Sequence, residues 1–482
     1  MTRERAGLAI AAAAFTAVLL ASFPSLTPEA HRLAAIIAGV VVLWVSEAIP
    51  LPATALLGVA AAVALCVAPA REAFAPFADP LMFLFIGAFI LARGIFVHGL
   101  NRRVAYAVLS LPWVGVSAGR ILFAFGAVTA LISGWISNTA TTAMMFGIGI
   151  SILGAMGDDV RRSGYGTALM LMTSFAASIG GLMTPIGTPP NVIGLGFIRS
   201  TLGEEVSFFR WMLLGVPVVV VLYGILYAWL RFVTRDTVGD LAATRSLIAK
   251  ERGALGPWTR GQRSVAIAFG VTVVLWVLPG IVALAAGEGS GAYRTLSERL
   301  PEGVAAIAGA LLLFLLPGDA PGRGRAISWD QAVKIDWGVV LLYGGGFALG
   351  VLSFRTGLAE AAGRGLTGML PISGDLGLLA ASVTVAIALS EATSNTAAAN
   401  MVVPVVISIA QAAKMDPFLP TLGATMAASL GFMLPVSTPC NAIVYGSGLI
   451  PLGKMIRYGI VLDVAGGIII IALVSLLGSA VR

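Results

Sequence analysis

The sequence predicts an all-α polytopic membrane protein with about 11 transmembrane helices and two re-entrant hairpins in two inverted-topology repeats. Three observations predict this fold class. The 482-residue chain has a mean hydropathy of +0.96 and only 11% charged residues, whereas soluble domains carry about 25%. Its apolar stretches are long enough to cross a bilayer as helices and lack the strict alternation of barrel strands. The same motifs also recur in the same order in both halves of the chain.

Eleven apolar segments are predicted to span the membrane. They lie at about 7–23, 33–48, 52–69, 80–97, 165–196, 211–230, 264–283, 303–317, 337–353, 417–449 and 457–480. The first segment follows Arg3 and Arg5 and so resembles a signal peptide. Its apolar run is long and no convincing small-residue cleavage site follows, so we expect an uncleaved first span.

Two further apolar stretches, 118–152 and 376–413, carry a polar Ser-Asn-Thr cluster in the middle. Each could be two crossings or one interrupted crossing. A re-entrant hairpin with the cluster at its tip fits best, because irregular backbone at membrane depth is tolerated only inside protein or beside a wet cavity. The long spans 165–196 and 417–449 are interrupted by Thr-Pro-x-Asn. Since proline removes a backbone donor, each is predicted to be a broken helix.

An internal repeat relates the two halves of the chain. Three segments match in order, at offsets of 258, 257 and 250 residues: 85–100 with 343–358, 137–140 with 394–397, and 188–191 with 438–441. Because an odd number of predicted spans separates matching points, the second copy is predicted to be inverted. The predicted domains are a first repeat at 1–230, a charged cytoplasmic linker at 231–263 and a second repeat at 264–482.

The distribution of charge predicts the orientation. With a cytoplasmic N-terminus, 20 of the 30 Lys and Arg residues fall on the cytoplasmic side, as the positive-inside rule requires. The C-terminus is then external, and the predicted location is the inner (plasma) membrane. These basic loops account for the net charge of +7 without a nucleic-acid partner. Two isolated cysteines and two scattered histidines predict neither a disulfide framework nor a metal cluster, and no catalytic constellation indicates an enzyme.

The polar clusters and the helix breaks predict a binding site at mid-membrane. Ser, Thr and Asn commonly serve only as contacts between membrane helices, but paired interruptions at corresponding positions of repeats indicate a transporter site. Helix N-termini there favour an anion, and carbonyl ends favour a cation. No Lys or Arg lies in the four motifs, so a buried anion needs another source of positive charge. A co-bound Na+ would supply it; helix dipoles with anion exchange are the alternative.

At these motifs the chain resembles the divalent anion:sodium symporter family of di- and tricarboxylate transporters. The resemblance rests on the Ser-Asn-Thr pair, GTPPN at 187–191, STPCN at 437–441, VSEAIPLPATALL at 45–57 and WGVVLLYGGGFALG at 337–350, and it covers nearly the whole chain. It implies a homodimer in which a transport domain moves against a scaffold domain like an elevator. Departures from the family pattern at Ser390, Thr393 and Cys440 are modest.

The resemblance also implies site residues. The first Na+ site would comprise Ser133, Ser137, Asn138 and Gly187, and the second would comprise Ser390, Thr393, Asn395 and Ser437. Substrate carboxylates would meet Asn138, Thr139, Thr188, Asn395, Thr396, Thr438 and Pro439. These assignments place a cation site and part of the substrate site in each repeat.

The expected function is therefore Na+-coupled import of a C4-type dicarboxylate such as succinate, malate or fumarate. The alternatives are a sodium-independent dicarboxylate exchanger, a tricarboxylate or sulfate symporter and, from a different class, an anion channel. Glu47 and Glu391 lie next to helix ends and are interpreted as capping or hinge groups rather than ion ligands or proton carriers. Arg93 is interpreted as a snorkelling charge, and Asp463 in the last span is left without a role.

Overall fold

A computed structural model describes residues 3–234, 240–319, 324–367 and 374–482. Within them the regular elements are helices, and the β-structure is an isolated bridge between Pro317 and Arg325. The helices of the first half are α1 (Arg3–Leu20), α2 (Pro28–Ser46), α3 (Leu51–Ala64), α4 (Ala70–Phe74), α5 (Pro80–Val97), α6 (Leu100–Leu109), α7 (Ala118–Ser133), α8 (Asn138–Met156), α9 (Asp158–Arg161), α10 (Gly164–Gly180), α11 (Pro189–Phe197) and α12 (Phe208–Val233).

The helices of the second half are α13 (Leu241–Ala254), α14 (Arg260–Ala286), α15 (Gly291–Arg299), α16 (Glu302–Leu315), α17 (Trp329–Ala332), α18 (Trp337–Arg355), α19 (Leu358–Thr367), α20 (Gly374–Ala392), α21 (Asn395–Ala412), α22 (Phe418–Ala427), α23 (Pro439–Tyr445) and α24 (Leu452–Val481). Short 3₁₀ turns at Ala75–Ala78 and Val114–Val116 and a π-helical turn at Ile198–Leu202 complete the described elements.

The prediction of an all-helical polytopic membrane protein is confirmed. Nine helices in the described part of the chain are long and apolar enough to cross a membrane, and four shorter apolar helices accompany them. Individual bounds differ from the predicted spans: α3 and α16 have only 14 residues each. In the predicted linker, residues 235–239 lie outside the described residues, and much of the remainder forms α13.

Helix bounds recur between the halves at the offsets of the sequence motifs. The clearest pair is α6 and α19, whose first residues are shifted by 258. The sequence analysis missed both helices because each is a short amphipathic segment directly after an apolar span. Such helices suit the membrane interface, where one face meets lipid and the other meets water.

Each polar cluster lies where two antiparallel helices meet. α7 ends at Ser133 and α8 begins at Asn138, while α20 ends at Ala392 and α21 begins at Asn395. The Ser394 hydroxyl accepts from the Ala397 backbone N–H at 3.2 Å and so caps α21. The first hairpin packs on α10 and the second on α22.

Both long polar-interrupted spans are discontinuous helices. α10 ends at Gly180 and α11 begins at Pro189; α22 ends at Ala427 and α23 begins at Pro439. In both cases proline occupies the first helical position, where its missing N–H would have had no partner. Every residue of α10 from Tyr165 to Gly180 is buried, so the first break lies inside the protein rather than against lipid.

Candidate functional site

One cavity of about 520 Å³ is lined by both hairpin tips and both helix breaks. This volume lies within the range of small-molecule sites. Ten of the thirteen predicted site residues line it: Ser137, Asn138, Thr139, Gly187, Thr188, Asn395, Thr396, Ser437, Thr438 and Pro439. The other three, Ser133, Ser390 and Thr393, are buried and do not line the cavity.

In the first repeat, the amide head of Asn138 faces a cluster of oxygen atoms. One end of the amide lies 2.7 Å from Ser133 Oγ, 3.1 Å from the Ala177 carbonyl oxygen and 3.2 Å from the Gly187 carbonyl oxygen. With Nδ2 at this end, the amide donates to these atoms. With Oδ1 there, the Ser133 hydroxyl donates to it at 2.7 Å, and the Ala177 and Gly187 carbonyl oxygens face it without a proton between them, which gives the oxygen ligands that a hard monovalent cation takes.

Two glycines allow the helix break to lie this close to the Asn138 amide. A Cβ atom on Gly181 would lie 2.7 Å from Asn138 Oδ1, and one on Gly187 would lie 2.4 Å from the Gly181 carbonyl oxygen. Both contacts are shorter than van der Waals packing allows. Larger residues would therefore push the break away from the hairpin tip.

In the second repeat, Asn395 occupies the equivalent position. Ser390 Oγ lies 2.8 Å from both Asn395 Oδ1 and the Ala428 carbonyl oxygen, and Asn395 Nδ2 donates to the Ser429 carbonyl at 3.2 Å. Thr393 is directed elsewhere, because its hydroxyl donates to the Trp44 carbonyl of α2 at 3.3 Å. The two hairpin tips thus meet their broken helices through the same Ser–Asn pair.

Each of the two unwound segments is also held by an asparagine of its own. Asn191 Nδ2 donates to the carbonyls of Gly181 and Thr184 at 3.0 and 2.9 Å. Asn441 Nδ2 donates to those of Gly431 and Leu434, both at 2.9 Å. Unwinding frees carbonyl groups that must find partners in a dry interior. These amides supply the partners, so the Asn of each Thr-Pro-x-Asn motif fixes the shape of its break.

The structure predicts unequal costs for removing these two amides. Asn441 Oδ1 also accepts from Ser174 Oγ at 2.6 Å, whereas Asn191 Oδ1 has no partner among the described residues. Asn441→Ala should therefore lower the free energy of unfolding more than Asn191→Ala, with about 1–3 kcal/mol for each buried group left unpaired. Thermal unfolding of the purified variants checks this order. Equal melting temperatures, or a larger loss for Asn191→Ala, would contradict it.

The carboxylate of Glu391 stabilises the second break by accepting hydrogen bonds from its unwound backbone. It is 4% exposed, and its carboxylate accepts from the backbone N–H groups of Met433 and Leu434 at 2.7 and 3.2 Å and from Ser437 Oγ at 2.5 Å. This contact pattern agrees with the hinge role expected from the sequence. Asp463, also 4% exposed, lies beside the Glu391 side chain and the Phe432 backbone. Glu47 is exposed and caps α2 in a left-handed conformation, with φ of 50°.

Charged residues on the cavity wall were missed by the sequence analysis. Arg93, Lys334 and Asp336 all line the cavity, a position that the interpretation of Arg93 as a snorkelling charge did not include. The available signal was the spacing of Phe89, Ala92, Arg93 and Phe96, which puts all four on one face of α5.

The part of the chain that the structure describes holds no group of three His, Cys, Asp or Glu able to bind a metal.

An all-helical membrane protein in which two matched hairpin tips and two matched broken helices enclose one polar cavity is a membrane transport protein. Residues 2–481 match the family described as the sodium:sulfate symporter transmembrane region. The chain belongs to this family, which confirms the family resemblance found in the sequence.

Similar proteins agree with this assignment. The chain is 34% identical over 443 residues to the sodium-dependent dicarboxylate transporter SdcS of Staphylococcus saprophyticus, covering 90% of this chain and 83% of the relative. It is 33% identical over 478 residues to SdcS of a Staphylococcus aureus strain, covering 97% and 90%. The fold is similar to the Alcanivorax borkumensis YdaH transporter, at 13% identity and a TM-score of 0.52 over 98% and 96% of the chains. It is also similar to Neisseria gonorrhoeae MtrF, at 13% identity and a TM-score of 0.54 over 84% and 82%.

Proposed function

We propose that the protein is a secondary active transporter that imports C4-type dicarboxylates such as succinate, malate and fumarate together with Na+. The observation that carries the proposal is the pair of Ser–Asn oxygen clusters beside one cavity, one in each repeat. The SdcS relatives, which are named as sodium-dependent dicarboxylate transporters, support the same substrate class and ion.

The physical reason for coupling is the cost of burying a dianion. A carboxylate in a low-dielectric site is expensive unless it is paired and hydrogen-bonded. The cavity offers hydroxyl and amide donors at Thr139, Thr188, Thr396 and Thr438 and at the two tip asparagines. Cations at Ser133, Ser137, Asn138 and Gly187, and at Ser390, Asn395 and Ser437, would neutralise the charge. When more Na+ charge than substrate charge moves per cycle, an inside-negative potential adds about 2.3 kcal/mol per net charge per 100 mV.

We also propose how the protein is oriented in the membrane and that it assembles as a dimer. The N-terminus is cytoplasmic and the C-terminus external in the plasma membrane, which directs the cavity side with Leu51, Lys334 and Asp336 toward the cytoplasm. The protein is a homodimer whose transport domain moves as an elevator against a scaffold. The positive-inside count supports the orientation, and the family resemblance supports the dimer and the elevator motion.

Flux into proteoliposomes tests the coupling. Uptake of labelled succinate should require an inward Na+ gradient, fall to background when choline replaces Na+, and rise when a K+ diffusion potential makes the interior negative. Uptake that needs internal dicarboxylate and ignores Na+ would instead identify an exchanger. Stronger competition by unlabelled citrate or sulfate than by succinate would change the substrate class, and single-channel currents would establish a channel.

A further inference from the structure

The cavity that contains the uncharged hairpin tips also has positive charge in its wall. Arg93 comes from α5 and Lys334 from the turn before α18, and both line the cavity that contains Asn138 and Asn395. The third charged residue of the lining is Asp336, whose carboxylate accepts from the Val339 backbone N–H at 3.2 Å as the N-cap of α18. The charged lining is therefore two cations against one carboxylate.

Arg93 is the more enclosed of the two cations. It is half-buried, whereas Lys334 is exposed. Its Nε atom is inaccessible to solvent and has no hydrogen-bond partner, and within the described ranges its guanidinium makes no ion pair. Arg199, which follows α11, is by contrast paired with a carboxylate of the chain: its Nη2 donates to Asp79 Oδ2 at 2.6 Å. Because Nε is the only nitrogen of the Arg93 guanidinium among the buried unpartnered atoms, its two Nη groups remain accessible to an anion that enters the cavity.

Arg93 lies on the face of α5 that forms part of the cavity wall. Phe89, Ala92 and Phe96 also line the cavity, so Arg93 belongs to the i, i+3, i+4, i+7 face of α5 that forms the wall. The cavity of about 520 Å³ is much larger than a C4 dicarboxylate requires. Space for an anion therefore exists both at the tips and beside Arg93.

We infer that Arg93, assisted by Lys334, forms a cationic subsite of this cavity that binds one carboxylate of the substrate. This inference rests on the proposed function. A guanidinium presents parallel N–H donors that match the two oxygens of a carboxylate. Positive charge in the wall of a low-dielectric cavity also raises the local concentration of anions. The tips lack such charge and offer the dianion neutral donors instead.

The test is an isothermal calorimetric titration of the purified protein with succinate in Na+, carried out at low and at high choline chloride. Arg93→Gln should raise the succinate Kd about tenfold, as loss of a charge-assisted contact implies, and should flatten its dependence on choline chloride. Arg93→Lys should retain most of the affinity and the salt dependence. Lys334→Gln should have a smaller effect, about threefold, because its charge is exposed.

The matched control is Arg120→Gln, since Arg120 is an exposed cation outside the cavity whose Nη1 donates to the Trp113 carbonyl at 3.4 Å. It should leave the Kd unchanged. A succinate Kd within twofold of wild type in both Arg93→Gln and Lys334→Gln would overturn the inference. If Arg93→Gln does not fold, wild-type affinity in Lys334→Gln at low salt overturns it. Wild-type protein that binds no succinate in Na+ would instead overturn the proposed function.

Discussion

Replacing Asn138 or Asn395 with alanine should reduce Na+-driven succinate uptake to background in proteoliposomes. Each amide lies at a hairpin tip, lines the cavity and contacts its neighbouring serine and broken helix. A lost hydrogen bond to a charged group costs about 1.5–3 kcal/mol, which is roughly a tenfold to hundredfold loss of affinity. Because the same amide serves the cation and the substrate in the proposed site, both affinities should fall together.

Asn400→Ala is the matched control for these variants. Asn400 is a buried asparagine of α21, and its Nδ2 donates to the Thr396 carbonyl within the same helix at 3.0 Å. It does not line the cavity, so its removal should leave most of the uptake intact. All three variants should insert and elute as the wild type does on size exclusion. Near-normal uptake by both Asn138→Ala and Asn395→Ala would show that the tips do not form the site.

Glu391→Ala should both destabilise the protein and weaken its response to Na+. The substitution leaves the backbone N–H groups of Met433 and Leu434 without their acceptor, and the Ser437 hydroxyl keeps only the backbone carbonyl of residue 391. Removing one partner of a buried charged network typically costs about 3–5 kcal/mol. Because Ser437 lines the cavity, the Na+ concentration for half-maximal uptake should also rise. Thermal unfolding and the Na+ dependence of uptake measure the two effects.

Two further substitutions separate the effect of the Glu391 charge from the effect of its side-chain size and of its acidic neighbour. Glu391→Gln keeps the size and one carbonyl acceptor but loses the charge, so it should show an intermediate loss of stability. Asp463→Asn changes the neighbouring buried acid, which lies beside the Glu391 side chain and the Phe432 backbone, and should be mild in both assays. A Glu391→Ala protein with wild-type melting temperature and Na+ dependence would mean that the break holds its shape without the carboxylate.

The global architecture was accessible from the sequence because it depends on local signals. Apolar length predicts spans, proline within Thr-Pro-x-Asn predicts a broken helix, and matched motifs predict the pairing of the two halves. The motif asparagines at 191 and 441 illustrate the limit of this reasoning. Their partners lie 7 and 10 residues earlier along an unwound backbone, where no regular period tells which carbonyl faces which amide.

The charges of the site were harder to predict. A single arginine in an apolar helix has the same sequence signature whether it faces lipid, headgroups or a cavity, and the hydropathy of α5 does not distinguish these surroundings. The assignment of Arg93 to the wall depends on how α5 packs against α16 and on its position relative to the hairpin tips. The position of Glu391 was easier to predict, because it lies three residues before Ser394 and so at the end of a helix.

The most direct measurement is a cryo-electron microscopy map of the protein in saturating succinate and Na+. We expect dianion density between Asn138 and Asn395, within hydrogen-bond reach of both tips, and a cation beside each Ser–Asn pair. Succinate density outside this cavity, or two tips that face lipid without enclosing a ligand, would contradict the site.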